Sequence, residues 1–159
     1  MEKIVHPISP LYDENAEILI LGSFPSVASR ETGFFYGHPR NRFWKVLSAL
    51  FEEKEPETIE EKKYFLLRNH IAVWDVIASC EIEGSSDSSI RNIEVNDLNR
   101  ILNKTRIGRI FTNGSTAYRL YRKHQEKRTG IEAIPLPSTS PANASHSLER
   151  LIEEWRIIL

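Results

Sequence analysis

ILILGSFPSVASRETGFFYGHPRNRFWKVLSALF, running from Ile18 to Phe51, is the stretch whose reading decides the fold. The apolar run Ile18 to Leu21 stops abruptly at Gly22-Ser23-Phe24-Pro25-Ser26. That pattern predicts a buried strand delivering a tight turn to the carboxyl edge of a sheet, where open α/β folds place their ligand sites. The segment Gly33-Phe34-Phe35-Tyr36-Gly37-His38-Pro39 is too rich in Gly and Pro for a regular element, yet it carries consecutive aromatics that solvent does not favour. A loop of that kind lines something flat. Beyond it, Phe43, Val46, Leu47, Leu50 and Phe51 recur at i, i+3, i+4, i+7 and i+8, the spacing of a helix that buries one face, with Asn41 at or near its N-cap.

Outward from this stretch, residues 1–16, with Pro7 and Pro10, read as an irregular lead-in to which no chemistry is assigned. Thr58 and Glu61 form a capping box for a helix to about Asn69, and Ile71 to Trp74 is a second buried strand. Its exit, Asp75 to Cys80, passes into Gly84-Ser85-Ser86-Asp87-Ser88-Ser89, a polar loop too long for a simple connector. Asn96 is placed to cap a helix holding Leu98, Ile101 and Leu102. Arg109 to Thr112 is a third strand, Ala117 to Arg122 a helix, Ile131 to Ile134 a fourth strand, and Leu148, Leu151, Ile152, Trp155 and Ile158 mark one face of a C-terminal helix. Strands separated by helical segments imply right-handed crossovers and a parallel sheet with helices on both faces. The expectation is one α/β domain over residues 1–159.

With 40% apolar and 27% charged residues and a net charge of −1, the chain does not suit a protein that coats long stretches of nucleic acid, which needs a basic surface. A small footprint remains open: acidic residues bunch between Glu52 and Glu61, whereas Arg40, Arg42 and Lys45 sit beside the candidate site. The sole cysteine, Cys80, forms no intrachain disulfide, and there is no 18-residue apolar run and no signal-peptide core. These features predict a cytoplasmic location, no membrane contact and no metal, since His70, His124 and His146 lack ligand spacing with carboxylates.

Gly22-x-x-Pro25, Thr32-Gly33-Phe34 and His38-Pro39-x-Asn41-Arg42-Phe43-Trp44-Lys45-Val46 together resemble the first motif and following helix of the uracil-DNA glycosylase superfamily. Mismatch-specific uracil glycosylases share the HPxNRFWKV string. The fuller resemblance is to hypoxanthine-DNA (deoxyinosine) glycosylases, through GSFPS at Gly22 to Ser26, the Trp74 to Ser88 segment, and PSTSPAN at Pro137 to Asn143. It implies a three-layer α/β/α domain around a four-stranded parallel sheet, acting on DNA that contains a deaminated base, without cofactor, as a monomer.

Carried over residue by residue, the resemblance puts Tyr36 where relatives stack an aromatic ring on a flipped base, and Asp75 where the base edge is read. Ser23 and Phe24 complete the base-binding set, and Phe24 stands where several relatives have a polar, water-positioning residue. Asn41 is then the residue favoured for catalysis, acting on the water or on the base; capping alone is its plainer role. Ser26, Arg40, Pro137, Ser138, Thr139, Ser140, Pro141 and Asn143 are the DNA-binding set, with Leu136 replacing the usual His or Asn before Pro-Ser. His38 is expected to be structural. Lys45, four residues after Asn41, gives no sign of a Schiff-base role, so strand cleavage is not expected.

The function implied is hydrolytic excision of hypoxanthine from DNA, leaving an abasic site. Two alternatives stand beside it: a mismatch-specific uracil glycosylase, against which Phe24 and Leu136 speak, and a catalytically silent module that binds DNA lesions. A serine hydrolase built on Ser23 or Ser26 lacks the G-x-S-x-G elbow.

Overall fold

Lys3–Val5 (β1) opens the chain as a strand, where the sequence predicts an irregular lead-in. The computed structural model describes residues 2–159. In chain order there follow β2 (Ile18–Gly22), α1 (Val27–Thr32), α2 (Phe43–Leu50), α3 (Ile59–Arg68), β3 (Ile71–Asp75), β4 (Ile77–Glu81), β5 (Arg91–Val95), α4 (Asn99–Leu102), β6 (Arg109–Asn113), α5 (Ser115–His124), α6 (Glu126–Thr129), β7 (Ala133–Leu136) and α7 (Leu148–Trp155). The strands form two sheets: a four-stranded parallel sheet in the order β3-β2-β6-β7, and a three-stranded antiparallel sheet in the order β1-β4-β5.

The parallel sheet is the one the sequence predicts, and its physics is plain. Every residue of β2 and β3 is buried, as a strand covered on both faces requires. Helix α2 buries Phe43, Trp44, Val46, Leu47 and Leu50, each side chain removed from water contributing about 1.5–3 kcal/mol. The Trp155 ring of α7 meets Phe43 edge-on at 5.9 Å, and its indole N–H donates to the Pro137 carbonyl at 2.9 Å. The C-terminal helix therefore fixes both α2 and the start of the Pro137–Asn143 loop.

The antiparallel sheet departs from expectation. Ile77–Glu81 continues from β3 as a strand, not as part of a loop, because β1 and β5 flank it and satisfy its backbone. The fourth parallel strand lies at Ala133–Leu136, later than predicted, and runs through Pro135; β7 is an edge strand, where a missing N–H is tolerated. Asn96 does not cap α4. It is buried, donating from Nδ2 to the carbonyls of Asp75 and Ile77 at 2.9 and 3.2 Å, and Asp97 accepts the Asn99 N–H instead. Leu11 bridges Val73 and covers the outer edge of β3. No helix among the described residues is long and apolar enough to cross a membrane.

Candidate active site

The strand order reverses between β2 and β6, so the carboxyl ends of the parallel strands open on one crevice. A cleft of about 400 Å³ lies there, within the range of roughly 300–1,000 Å³ usual for small-molecule sites. Each parallel strand ends in it or beside it: β2 in Gly22, β3 in Asp75, β6 in Asn113, and β7 in Leu136, which leads to Ser138. The aromatic loop contributes Phe35 and Tyr36, and the Gly84–Ser89 loop, tightened by a turn at Asp87–Ser89, contributes Asp87 and its serines.

Asp75 lies on the cleft floor, its side chain only 5% exposed. Its Oδ2 accepts a hydrogen bond from His6 Nε2 at 2.7 Å, and the His6 ring is equally buried at 4%. The tautomer follows from geometry: the Ile8 N–H donates to His6 Nδ1 at 3.1 Å, so the ring proton sits on Nε2. A Cβ at Gly22, the register partner of Asp75 in β2, would stand 2.5 Å from Asp75 Oδ1 and 3.2 Å from the Tyr36 hydroxyl. Glycine is thus required by close approach. Gly22→Ala is expected to lower stability by about 1–3 kcal/mol through this overpacking, read from a denaturation midpoint.

Tyr36 is partly buried, with Phe43 stacked on its ring at 3.9 Å between centroids. Its backbone takes φ 54°, costly for an aromatic residue, and is held by the Trp44 indole N–H donating to the Tyr36 carbonyl at 3.2 Å. Burial, then the negative charge of Asp75, push the phenol well above its ordinary pKa, so it stays protonated. Its hydroxyl is buried with no hydrogen-bond partner among the described residues. Phe24 is buried and meets the His6 ring edge-on at 5.7 Å. Ser23 Oγ donates to Asp87 Oδ1 at 3.4 Å, and burial raises the Asp87 carboxyl above the usual range.

Asn41 joins two distant segments. Its Oδ1 accepts from the Phe43 N–H at 3.0 Å and from Thr139 Oγ1 at 2.8 Å, filling both lone pairs of the amide oxygen. Thr139 Oγ1 in turn accepts from Asn113 Nδ2 at 3.0 Å, while Asn113 Oδ1 accepts the Thr139 N–H at 3.0 Å. This directed chain occupies the Asn41 oxygen and leaves its Nδ2 group without a hydrogen-bond partner among the described residues, on a side chain that lines the cleft. Capping is real but displaced: Asn41 serves the first turn of α2 from one residue before the N-cap, Arg42.

The proposed DNA-binding set divides. Thr139 is wholly buried, so it acts as a tie within the loop and offers DNA no side chain of its own. Ser138 and Ser140 line the cleft, Pro137 is partly buried beside them, Pro141 is exposed, and Asn143 Nδ2 donates to the Ser138 carbonyl at 3.0 Å. Arg42 straps the loop to α2, its guanidinium donating to the carbonyls of Ser140, Asn143 and His146. Ser26 caps α1 through the Ser29 N–H at 3.1 Å, and Arg40 is exposed at the rim of the aromatic loop. His38 Nδ1 accepts the Arg40 N–H at 3.0 Å, a structural turn. Lys45 is half-exposed and pairs with Glu55 at 3.2 Å, outside the residues that line the cleft.

Two residues of this site, His6 and Asn113, escape the sequence reading, as does the tie that Thr139 makes between Asn113 and Asn41. Asn113 carries a signal, a polar residue at the carboxyl end of a parallel strand, as Asp75 does. His6, 69 residues from its partner, carries none.

Comparison with known proteins agrees with this fold. Residues 9–158 match the family model of the uracil DNA glycosylase superfamily. A hypoxanthine DNA glycosylase of Methanosarcina acetivorans is 38% identical over 150 residues, covering 92% of each chain. Another of that name, from Methanosarcina barkeri, is 40% identical over 88 residues, covering 55% of this chain and 56% of that one. The solution NMR structure of a Methanosarcina acetivorans protein, provisionally described as a uracil DNA glycosylase, superposes with a TM-score of 0.80 at 32% identity, covering 98% of this chain and 99% of that one. The chain belongs to the uracil DNA glycosylase superfamily and is a DNA N-glycosylase.

Proposed function

We propose that this enzyme flips hypoxanthine out of DNA and hydrolyses its glycosidic bond, leaving an abasic site, and that it does so as a monomer through one domain spanning the chain. The observation that carries this reading is the Asp75 carboxylate on the cleft floor, with Oδ2 engaged by His6 and Oδ1 beside Gly22. Deamination of adenine turns purine N1 from an acceptor into an N–H donor. A fixed carboxylate acceptor therefore welcomes hypoxanthine and repels adenine. Uracil also offers an N–H, but with a carbonyl on each side, whereas hypoxanthine flanks its N1–H with one carbonyl and one C–H. The names of the two Methanosarcina relatives support the same base.

In this reading Tyr36 stacks on the flipped base, Ser23 and Phe24 wall the pocket, and the Pro137–Asn143 loop, with Ser26 and Arg40, holds the DNA. The reaction forms a bond from water oxygen to C1′ as the C1′–N9 bond breaks; the bonding pair leaves with the base and the water proton is released. Asn41 Nδ2 donates to the departing base, lowering the negative charge that the base must carry as the C1′–N9 bond breaks. Lys45, paired with Glu55 and outside the residues that line the cleft, is not placed to act as an amine nucleophile, which supports hydrolysis without strand cleavage.

Single-turnover base release from otherwise identical duplexes carrying hypoxanthine, uracil or xanthine tests the proposal. Hypoxanthine should be released fastest, with strands intact until the abasic site is cleaved by alkali. Faster release of uracil would move the enzyme to the uracil-excising branch, and no release from any duplex would leave a lesion-binding module.

A further inference from the structure

We propose that His6 sets the specificity of the cleft against guanine, by making Asp75 a one-point acceptor. This rests on the hypoxanthine reading above and supplies what that reading lacks. Hypoxanthine and guanine share N1–H and the 6-carbonyl and differ only at C2, where guanine adds an amino group. A carboxylate with both oxygens free grips guanine through N1–H and the 2-amino group together, and so prefers the normal base to the lesion.

His6 prevents that grip. Its Nε2–H occupies Oδ2 at 2.7 Å, and the ring fills the space beside that oxygen. The ring cannot swing away: Ile8 N–H holds Nδ1 at 3.1 Å, Phe24 packs edge-on at 5.7 Å, and Phe35 lies at 6.1 Å. The backbone is equally fixed, with the His6 N–H donating to the Ala78 carbonyl at 2.8 Å directly after β1 pairs with β4. Asn96 secures the other side, donating to the Asp75 carbonyl at 2.9 Å. Only Oδ1 remains for a base. Hypoxanthine needs one acceptor, for N1–H; guanine brings a second donor, which must share Oδ2 with the His6 N–H where the ring crowds its approach, and so is paired poorly in a buried site. His6 is thus a positioning residue, absent from the residues lining the cleft and acting through Asp75.

The test compares wild type, His6→Ala and His6→Gln, whose amide keeps a donor near the Nε2 position, for equilibrium affinity and single-turnover release on duplexes carrying hypoxanthine or guanine at one site. His6→Ala should lower the hypoxanthine-to-guanine affinity ratio about 10-fold or more, the scale of one hydrogen bond to a charged group, and His6→Gln should restore it to within about 3-fold of wild type. A loss equal for both duplexes, or no rescue by Gln, overturns the proposal, because a merely structural histidine would weaken both alike. Nitrogen-15 NMR of His6 in the wild type is a second reading, independent of how the variants fold: the neutral Nε2–H tautomer is expected, and the Nδ1–H tautomer would overturn the clamp. Wild-type release of uracil in preference to hypoxanthine would sink the substrate reading alone, since the affinity ratio and the tautomer still report on the clamp.

Discussion

Asn41→Ala is expected to reduce single-turnover base release by about 10²–10⁴-fold while duplex binding changes little, the range for removing one positioned catalytic group. The variant should also lose about 1 kcal/mol of stability, because the Phe43 N–H and the Thr139 hydroxyl both lose their acceptor. The informative partner is Asn41→Asp. A carboxylate keeps an acceptor for both of those donors, so the loop and helix stay tied, but it removes the Nδ2 donor from the cleft. If the amide acts by donating, Asn41→Asp is as inactive as Asn41→Ala and more stable than it. Retained activity in Asn41→Asp would show instead that an acceptor orienting water is what the site requires.

The fold was legible where burial imposes a pattern. β2 and β3 are covered on both faces, so each must be a continuous apolar run; α2 buries one stripe, so its periodicity is visible. β1 and β5 were not legible for the opposite reason. β1 is three residues long, and β5 is largely exposed, so neither carries an alternation strong enough to stand out from a loop. Pro135 hid the true extent of β7, since a strand interrupted by proline is read as ended unless it is known to lie at an edge.

The site divides along the same line. Gly22, Asp75 and Asn113 mark strand ends, and a polar or glycine stop after an apolar run is a local event that sequence records. The Asn113-Thr139-Asn41 relay and the His6–Asp75 pair are made by side chains far apart in the chain, and no local pattern specifies them. Yet these long-range ties decide which atoms face the cleft: they turn the Asn41 oxygen inward and leave its amino group out, and they leave Asp75 one oxygen. Residue identity alone left open whether Asn41 donates or accepts, and the network constrains that choice.

Asp75→Asn follows from the same reasoning and carries the other large effect. The orientation of the new amide is fixed before any base arrives, because the His6 Nε2–H needs an acceptor and Ile8 holds the tautomer that provides that donor. The amide oxygen must face His6, so the amino group takes the place of Oδ1. There it opposes the N1–H of hypoxanthine, donor against donor, at a side chain only 5% exposed. Hypoxanthine release is expected to fall by about 100-fold or more, since a site built for one hydrogen-bond polarity rejects the reverse strongly. Uracil, whose N–H meets the same donor, gains nothing. Adenine has an acceptor at N1, so the hypoxanthine-to-adenine affinity ratio should move toward adenine in competition between two otherwise identical duplexes. Folding should be nearly preserved, because the His6 bond survives and loses only its charge assistance, about 1 kcal/mol on a denaturation curve. A variant that folds and still releases hypoxanthine at the wild-type rate would remove Asp75 from base reading and return the choice of base to the aromatic walls.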